Sequence, residues 1–129
     1  MPKSQYLEQA MLNAVLRSTP YTSPSTVYAA LFTSTPVAPT STHPGTEVTG
    51  GSYSRQSVSW SAPSDVGVVY NLSDIDFSIA TASCGTIYAW GIFDSLTLGN
   101  LLYYGALGAP RVVSVNSQVI LPAGQLQIS

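Results

Sequence analysis

The sequence predicts a mostly β protein, an antiparallel β-sandwich or jelly-roll-like single domain with one N-terminal α-helix. Three observations predict this class: one helical pattern near the start, several short apolar or alternating segments after it, and Pro-, Gly-, Ser- and Thr-rich stretches between them. Seven or eight short strands separated by turn signals are typical of sandwiches, jelly rolls and small barrels. The length of 129 residues suits one domain, so we predict a single domain over residues 1–129.

The helix is predicted over residues 4–17. Ser4 is a favourable N-cap, and Pro20 follows the end of the segment. Four apolar residues recur at helical spacing and are expected to form the buried stripe: Leu7, Met11, Ala14 and Val15. Leu12 and Leu16 widen this stripe beyond what one buried face requires. We therefore expect these two leucines to contact either the same core or a neighbouring subunit.

The β-sandwich is predicted over residues 25–128. Its strand segments show either polar–apolar alternation or a continuous apolar run; they are residues 25–33, 53–61, 74–79, 86–93, 101–107 and 111–121, with 125–128 closing the sheet and a turn near Asn116-Ser117. In the segment 53–61, Val58 and Trp60 are predicted on the buried side, and Arg55 on the polar side.

Residues 34–52 are predicted to form a long loop, because prolines and glycines interrupt any strand or helix pattern there. In an assembly protein, a loop of this length can be an arm that a neighbouring subunit orders. We place three of its residues at an interface: Pro36, Pro39 and His43.

The composition excludes several function classes. Charged residues make up 8% of the chain, against about 25% in an average soluble protein, and the formal net charge is −2. Nucleic-acid binding draws on clustered cations, whereas the four basic residues are scattered along this chain: Lys3, Arg17, Arg55 and Arg111. No apolar run approaches the roughly 18 residues that span a bilayer, and no signal-peptide pattern is present. We predict neither a nucleic-acid nor a membrane partner.

No residue pattern indicates catalysis, a cofactor or a metal. Cys84 and His43 are the single cysteine and histidine of the chain, and neither lies in a catalytic motif. Asp74 and Asp76 are predicted on one strand face, about 7 Å apart, but a calcium site needs more oxygen ligands. Asn71 begins an Asn-Leu-Ser glycosylation pattern, which we interpret as coincidental. We predict that the protein is not an enzyme.

The aromatic residues suggest either a protein interface or a carbohydrate-binding face. Tyr103 and Tyr104 are neighbours on one predicted strand, so their side chains point to opposite faces. A carbohydrate platform would combine an exposed aromatic ring with a nearby polar side chain, and the candidates are Trp60 or Tyr104 with Asp74 or Asn100.

Two segments resemble a family of small tailed-phage virion proteins. Residues 45–56, GTEVTGGSYSRQ, are similar to a TEVSGGxYxRQ stretch common in these proteins, and WGIFD at 90–94 with GNLLYYGAL at 99–107 is similar to their second signature. Gly50-Gly51 permits positive φ before the following strand. Arg55 is expected to hold the Glu47 carboxylate across the loop.

The resemblance implies a virion structural protein, assembled in the host cytoplasm. Our first hypothesis is a capsid decoration or cement protein, a homo-oligomer and by symmetry a trimer, that contacts other virion proteins such as the major capsid protein. The alternative is a tail, fibre or baseplate component with a carbohydrate-binding role in host recognition. Nine residues are predicted at the interface: Leu12, Leu16, Pro36, Pro39, His43, Tyr53, Arg55, Tyr103 and Tyr104.

Overall fold

The computed structural model describes residues 3–34, 46–83 and 85–128. The elements of this part of the chain are α1 (Gln5–Leu16), β1 (Val27–Phe32), β2 (Gln56–Val58), β3 (Val69–Tyr70), β4 (Ile75–Asp76), β5 (Gly85–Phe93), β6 (Leu101–Val113), β7 (Ile120–Leu121) and β8 (Gln127–Ile128). The described strands form a four-stranded antiparallel sheet in the order β2-β1-β5-β6 and two antiparallel ladders, β3–β8 and β4–β7. The predicted class, mostly β with an N-terminal helix, is confirmed.

The four-stranded sheet buries apolar residues on both faces, as the continuous apolar runs predict. Alternate residues of β1 enter different cores: Ala29 and Leu31 lie in a large core, and Ala30 and Phe32 in a smaller one. Residues of both ladders join the large core, which lies between them and the sheet. A sheet covered in this way can hold large side chains on adjacent positions of one strand.

Helix α1 begins where the sequence predicts, but the residues that it buries differ from the predicted apolar stripe. The Ser4 side chain accepts a hydrogen bond from the Leu7 amide (3.2 Å) and donates one to the Leu101 carbonyl, so the helix start is tied to β6. Within α1, all of whose residues are described, Leu7 alone is buried. Ala14 is half-buried, whereas Met11 and Val15 are exposed. The predicted stripe is therefore wrong at Met11 and Val15, because the helix is held to the sheet at its Ser4 end and these two side chains stay exposed.

Strand β6 joins two segments that the sequence separates. Ala106 pairs with Ala89 and Arg111 pairs with Ile87, so residues 107–110 stand opposite Tyr88 alone. This irregularity coincides with the gap between the predicted strands 101–107 and 111–121. The predicted turn near Asn116-Ser117 is present, with Asn116 at a φ of 71° and β7 beyond it.

Several predicted strands are shorter in the structure. Segment 53–61 contributes β2 of Gln56–Val58 and an isolated bridge from Trp60 to Asn71, and segment 74–79 contributes β4 alone. Strand β3 was not predicted, because two residues are too few to show a period. No helix of the described residues is long and apolar enough to cross a membrane.

Candidate functional site

The predicted Arg55–Glu47 pair is present and is bidentate. Arg55 Nη2 lies 2.8 Å from Glu47 Oε1, and Arg55 Nε donates to Glu47 Oε2 at 2.9 Å. The two side chains are 8% and 23% exposed. Arg55 is thus buried rather than on a polar strand face, which corrects the alternation predicted for residues 53–61. A charged side chain can be buried in this way when it has an oppositely charged partner and its polar atoms are hydrogen-bonded.

Arg55 also binds the loop between β5 and β6. Its Nη1 donates to the carbonyls of Ser95 (2.8 Å) and Leu98 (2.7 Å), and its guanidinium lies 3.6 Å above the centre of the Phe93 ring. The planar guanidinium can make all these contacts at once, whereas a lysine ammonium cannot. One side chain therefore joins the segment around Glu47, the start of β2 and the β5–β6 loop.

Tyr53 links the same carboxylate to β1. Its hydroxyl donates to Glu47 Oε2 at 2.6 Å and accepts from the Leu31 amide at 3.1 Å, and its ring stacks on Phe77. Burial, followed by the hydrogen bond to Glu47, raises the pKa of Tyr53 well above its ordinary value. We call Glu47, Tyr53, Arg55 and the carbonyls of Ser95 and Leu98 the Arg55 network.

The loop shape that presents these carbonyls comes from its own residues. The Asp94 carboxylate accepts the Asn100 amide at 2.7 Å and the Asn100 side-chain nitrogen at 3.1 Å. Leu98 and Gly99 have φ values of 56° and 75°. The Asp94…Gly99-Asn100 part of the second signature therefore closes the loop that Arg55 binds.

The other glycines of that signature make room for aromatic rings. Gly91 pairs with Tyr104 and Gly105 with Trp90 across β5 and β6. A Cβ at Gly105 would lie 2.5 Å from the Trp90 ring, and one at Gly91 would collide with Phe32. Both signatures thus specify packing and turn geometry.

Tyr103 and Tyr104 occupy opposite faces, as predicted. Tyr103 is half-buried against the large core, and Tyr104 against the smaller core. Burial raises the pKa of Tyr103. Much of each ring therefore packs within the chain, and a role for either at an interface stays a prediction.

The candidate carbohydrate residues are engaged elsewhere. Trp60 is half-buried beside an apolar cleft of about 200 Å³. Asn100 bonds to Asp94, and an Asp74 oxygen accepts the Ala123 amide at 2.9 Å. A carbohydrate platform built from these residues stays a prediction. Among the described residues, no group of three His, Cys, Asp or Glu side chains is placed to hold a metal.

Sequence reasoning missed the role of Asn71. This side chain is fully buried; its Oδ1 accepts the Leu126 amide at 3.0 Å, and its Nδ2 donates to the carbonyls of Ser73 and Pro122, both at 3.0 Å. It connects the end of β3 to the turn before β8. The sequence around it shows a glycosylation pattern and carries no signal of this long-range role.

An exposed apolar surface lies on α1. It consists of Met11, Leu12, Val15 and Leu16, with exposed fractions of 39%, 59%, 76% and 74%, and we call it the helix face. Leu12 and Leu16, both predicted at an interface, are thus available to a partner. Pro36, Pro39, His43 and Cys84 lie outside the described residues.

Comparison with known protein families gives a match to nearly the whole chain. The model of a family described as "Podophage GP4 fiber I protein gp80" matches residues 2–129. The chain belongs to this family. Membership in the gp80 family confirms the predicted small tailed-phage virion structural protein and indicates a location in the virion. No curated protein matches the chain.

Proposed function

We propose that the protein is a structural component of the podophage tail fibre. The observation that carries this proposal is the match of nearly the whole chain to a family described as a fiber protein. That description favours the tail or fibre alternative over the capsid decoration or cement hypothesis, which gains no support from it.

A fibre subunit acts mechanically: it keeps its shape and its contacts, and it catalyses no reaction. The Arg55 network supports this role because it joins three chain segments through one buried guanidinium. The sheet buried on both faces supports it as well. These features oppose local opening of the fold, since opening would expose apolar surface and unpair buried polar groups.

The partners in this proposal are other virion proteins and further copies of the chain, held by non-covalent contacts. The low charge supports such contacts, because surface rich in uncharged side chains carries a small desolvation cost on association. No cofactor takes part.

Quantitative mass spectrometry of purified virions tests the location. A fibre component is expected at a small fraction of the major capsid protein, and antibodies against this chain should label the tail in electron micrographs. A ratio near one to one with label over the shell would instead establish a decoration protein and overturn the proposal.

A further inference from the structure

The helix face is large enough to be an interaction surface. Its four side chains have on the order of 400 Å² of exposed surface. The largest apolar patch on a typical monomer covers roughly 300–600 Å² and is often functional, so the helix face falls in this range. With Lys3 and Glu8, these side chains line a groove of about 590 Å³ along the helix. The surface therefore combines apolar residues with one acid and one base.

The edges of the four-stranded sheet are less suited to joining copies. Strand β6 forms one edge, but Pro110 and the register break at residues 107–110 interrupt it, and the Ser4 amide already donates to Leu102. Strand β2, at the other edge, has three residues. Proline, irregular pairing and short length are features that protect sheet edges from pairing with another chain.

The charges at the groove are complementary to those of a second copy. Lys3 and Glu8 have no ion-pair partner within the described parts of the chain. Lys3 lies just before α1, bridged to Tyr103, and Glu8 lies in the first turn of the helix. When two such helices lie side by side and parallel, Lys3 and Glu8 of both copies are therefore at the same end, so Lys3 of one copy can face Glu8 of its neighbour. In an antiparallel pair, Lys3 of one copy and Glu8 of the other would lie at opposite ends of the two helices. The groove has no net charge, so a strongly charged partner is not favoured.

We propose that the helix face joins copies of this chain around a rotation axis that runs alongside parallel α1 helices. Leu12 and Leu16 of each copy pack against the same residues of its neighbour, and Lys3 pairs with Glu8 of the neighbour. The exposed apolar area is about half of one side of a standard interface, so we expect the isolated protein to associate weakly.

Sedimentation analysis of the purified full chain between about 10 µM and 1 mM, the concentration range in which weak association becomes populated, tests self-association. Leu16→Asp should abolish it, whereas Leu72→Asp, a matched change at an exposed leucine that follows β3, should not. Both leucines are exposed, so both variants should keep the wild-type circular dichroism spectrum. A wild-type chain that stays monomeric at 1 mM, or equal behaviour of the two variants, would overturn the proposal.

Two further experiments test the geometry. Lys3→Glu and Glu8→Lys should each weaken association about fivefold, and the double exchange should restore it, because exposed pairs contribute up to about 1 kcal/mol. In a Cys84→Ser background, Leu12→Cys and Leu16→Cys should each form a disulfide with the same residue of the neighbour. Loss of association in the double exchange, or no disulfide at either position, would contradict parallel packing. These results do not depend on where the protein sits in the virion, so the fibre proposal can fail separately.

Discussion

Replacing Arg55 with alanine removes the centre of the Arg55 network. The change leaves the Glu47 carboxylate without its cation, and the carbonyls of Ser95 and Leu98 lose their donor. Breaking a buried ion pair by removing one partner costs about 3–5 kcal/mol. Because Glu47 is 23% exposed and water can reach it, we expect a loss near the lower end, about 3 kcal/mol in the free energy of unfolding.

Urea denaturation followed by tryptophan fluorescence measures this loss. The midpoint of thermal unfolding should fall by about 10 °C for a domain of this size. Arg55→Lys should recover less than half of the loss, because an ammonium keeps the charge but not the bidentate geometry. Arg17→Ala is the matched control: this arginine is exposed, and its removal should change stability by less than about 0.5 kcal/mol.

The combined variant Arg55→Ala/Glu47→Gln shows whether the two residues act together. If they do, Glu47→Gln should add little to the loss of unfolding free energy that Arg55→Ala causes, because the glutamine replaces the carboxylate that Arg55→Ala leaves unpaired. A loss below about 0.5 kcal/mol for Arg55→Ala, or a loss equal to that of Arg17→Ala, would refute this account of the network.

Three further predictions concern Asn71, Gly105 and Tyr53. Asn71→Ala should lower the free energy of unfolding by about 2–4 kcal/mol in urea denaturation, because it leaves the Leu126 amide and the Ser73 carbonyl unpaired and removes one of the two donors to the Pro122 carbonyl. A change under about 1 kcal/mol would contradict the role of the Asn71 side chain. Gly105→Ala should cost about 1–3 kcal/mol and alter the near-ultraviolet circular dichroism of Trp90, and an unchanged spectrum would argue against their close packing. The pKa of Tyr53 is higher in the folded state than its value of about 10 in the unfolded state. The contribution of Tyr53 to stability is therefore complete below about pH 10 and is lost as the pH rises further, by up to about 1.4 kcal/mol per pH unit. Tyr53→Phe should reduce this alkaline slope in urea titrations between pH 9 and 11, and an unchanged slope would assign it to other groups.

Local patterns were sufficient for much of the fold. The mostly β class, the start of the helix at Ser4 and the apolar strands follow from cap chemistry and side-chain periodicity, which act over a few residues. The Glu47–Arg55 pair was also predictable, because the two residues lie eight positions apart across one glycine turn. Alternation likewise placed Tyr103 and Tyr104 on opposite faces.

Local sequence patterns were therefore enough to assign the helix, most of the strands, the fold class and the phage virion family, whereas the meeting of distant segments depends on the tertiary structure. Arg55 is buried because it binds carbonyls 40 and 43 residues away, and Asn71 is buried because it binds backbone 51 and 55 residues away. The helix buries Leu7 and exposes Met11 and Val15 because it is held to β6 at its Ser4 end. Such choices depend on which surfaces fit together in space, and no local pattern along the chain records that fit.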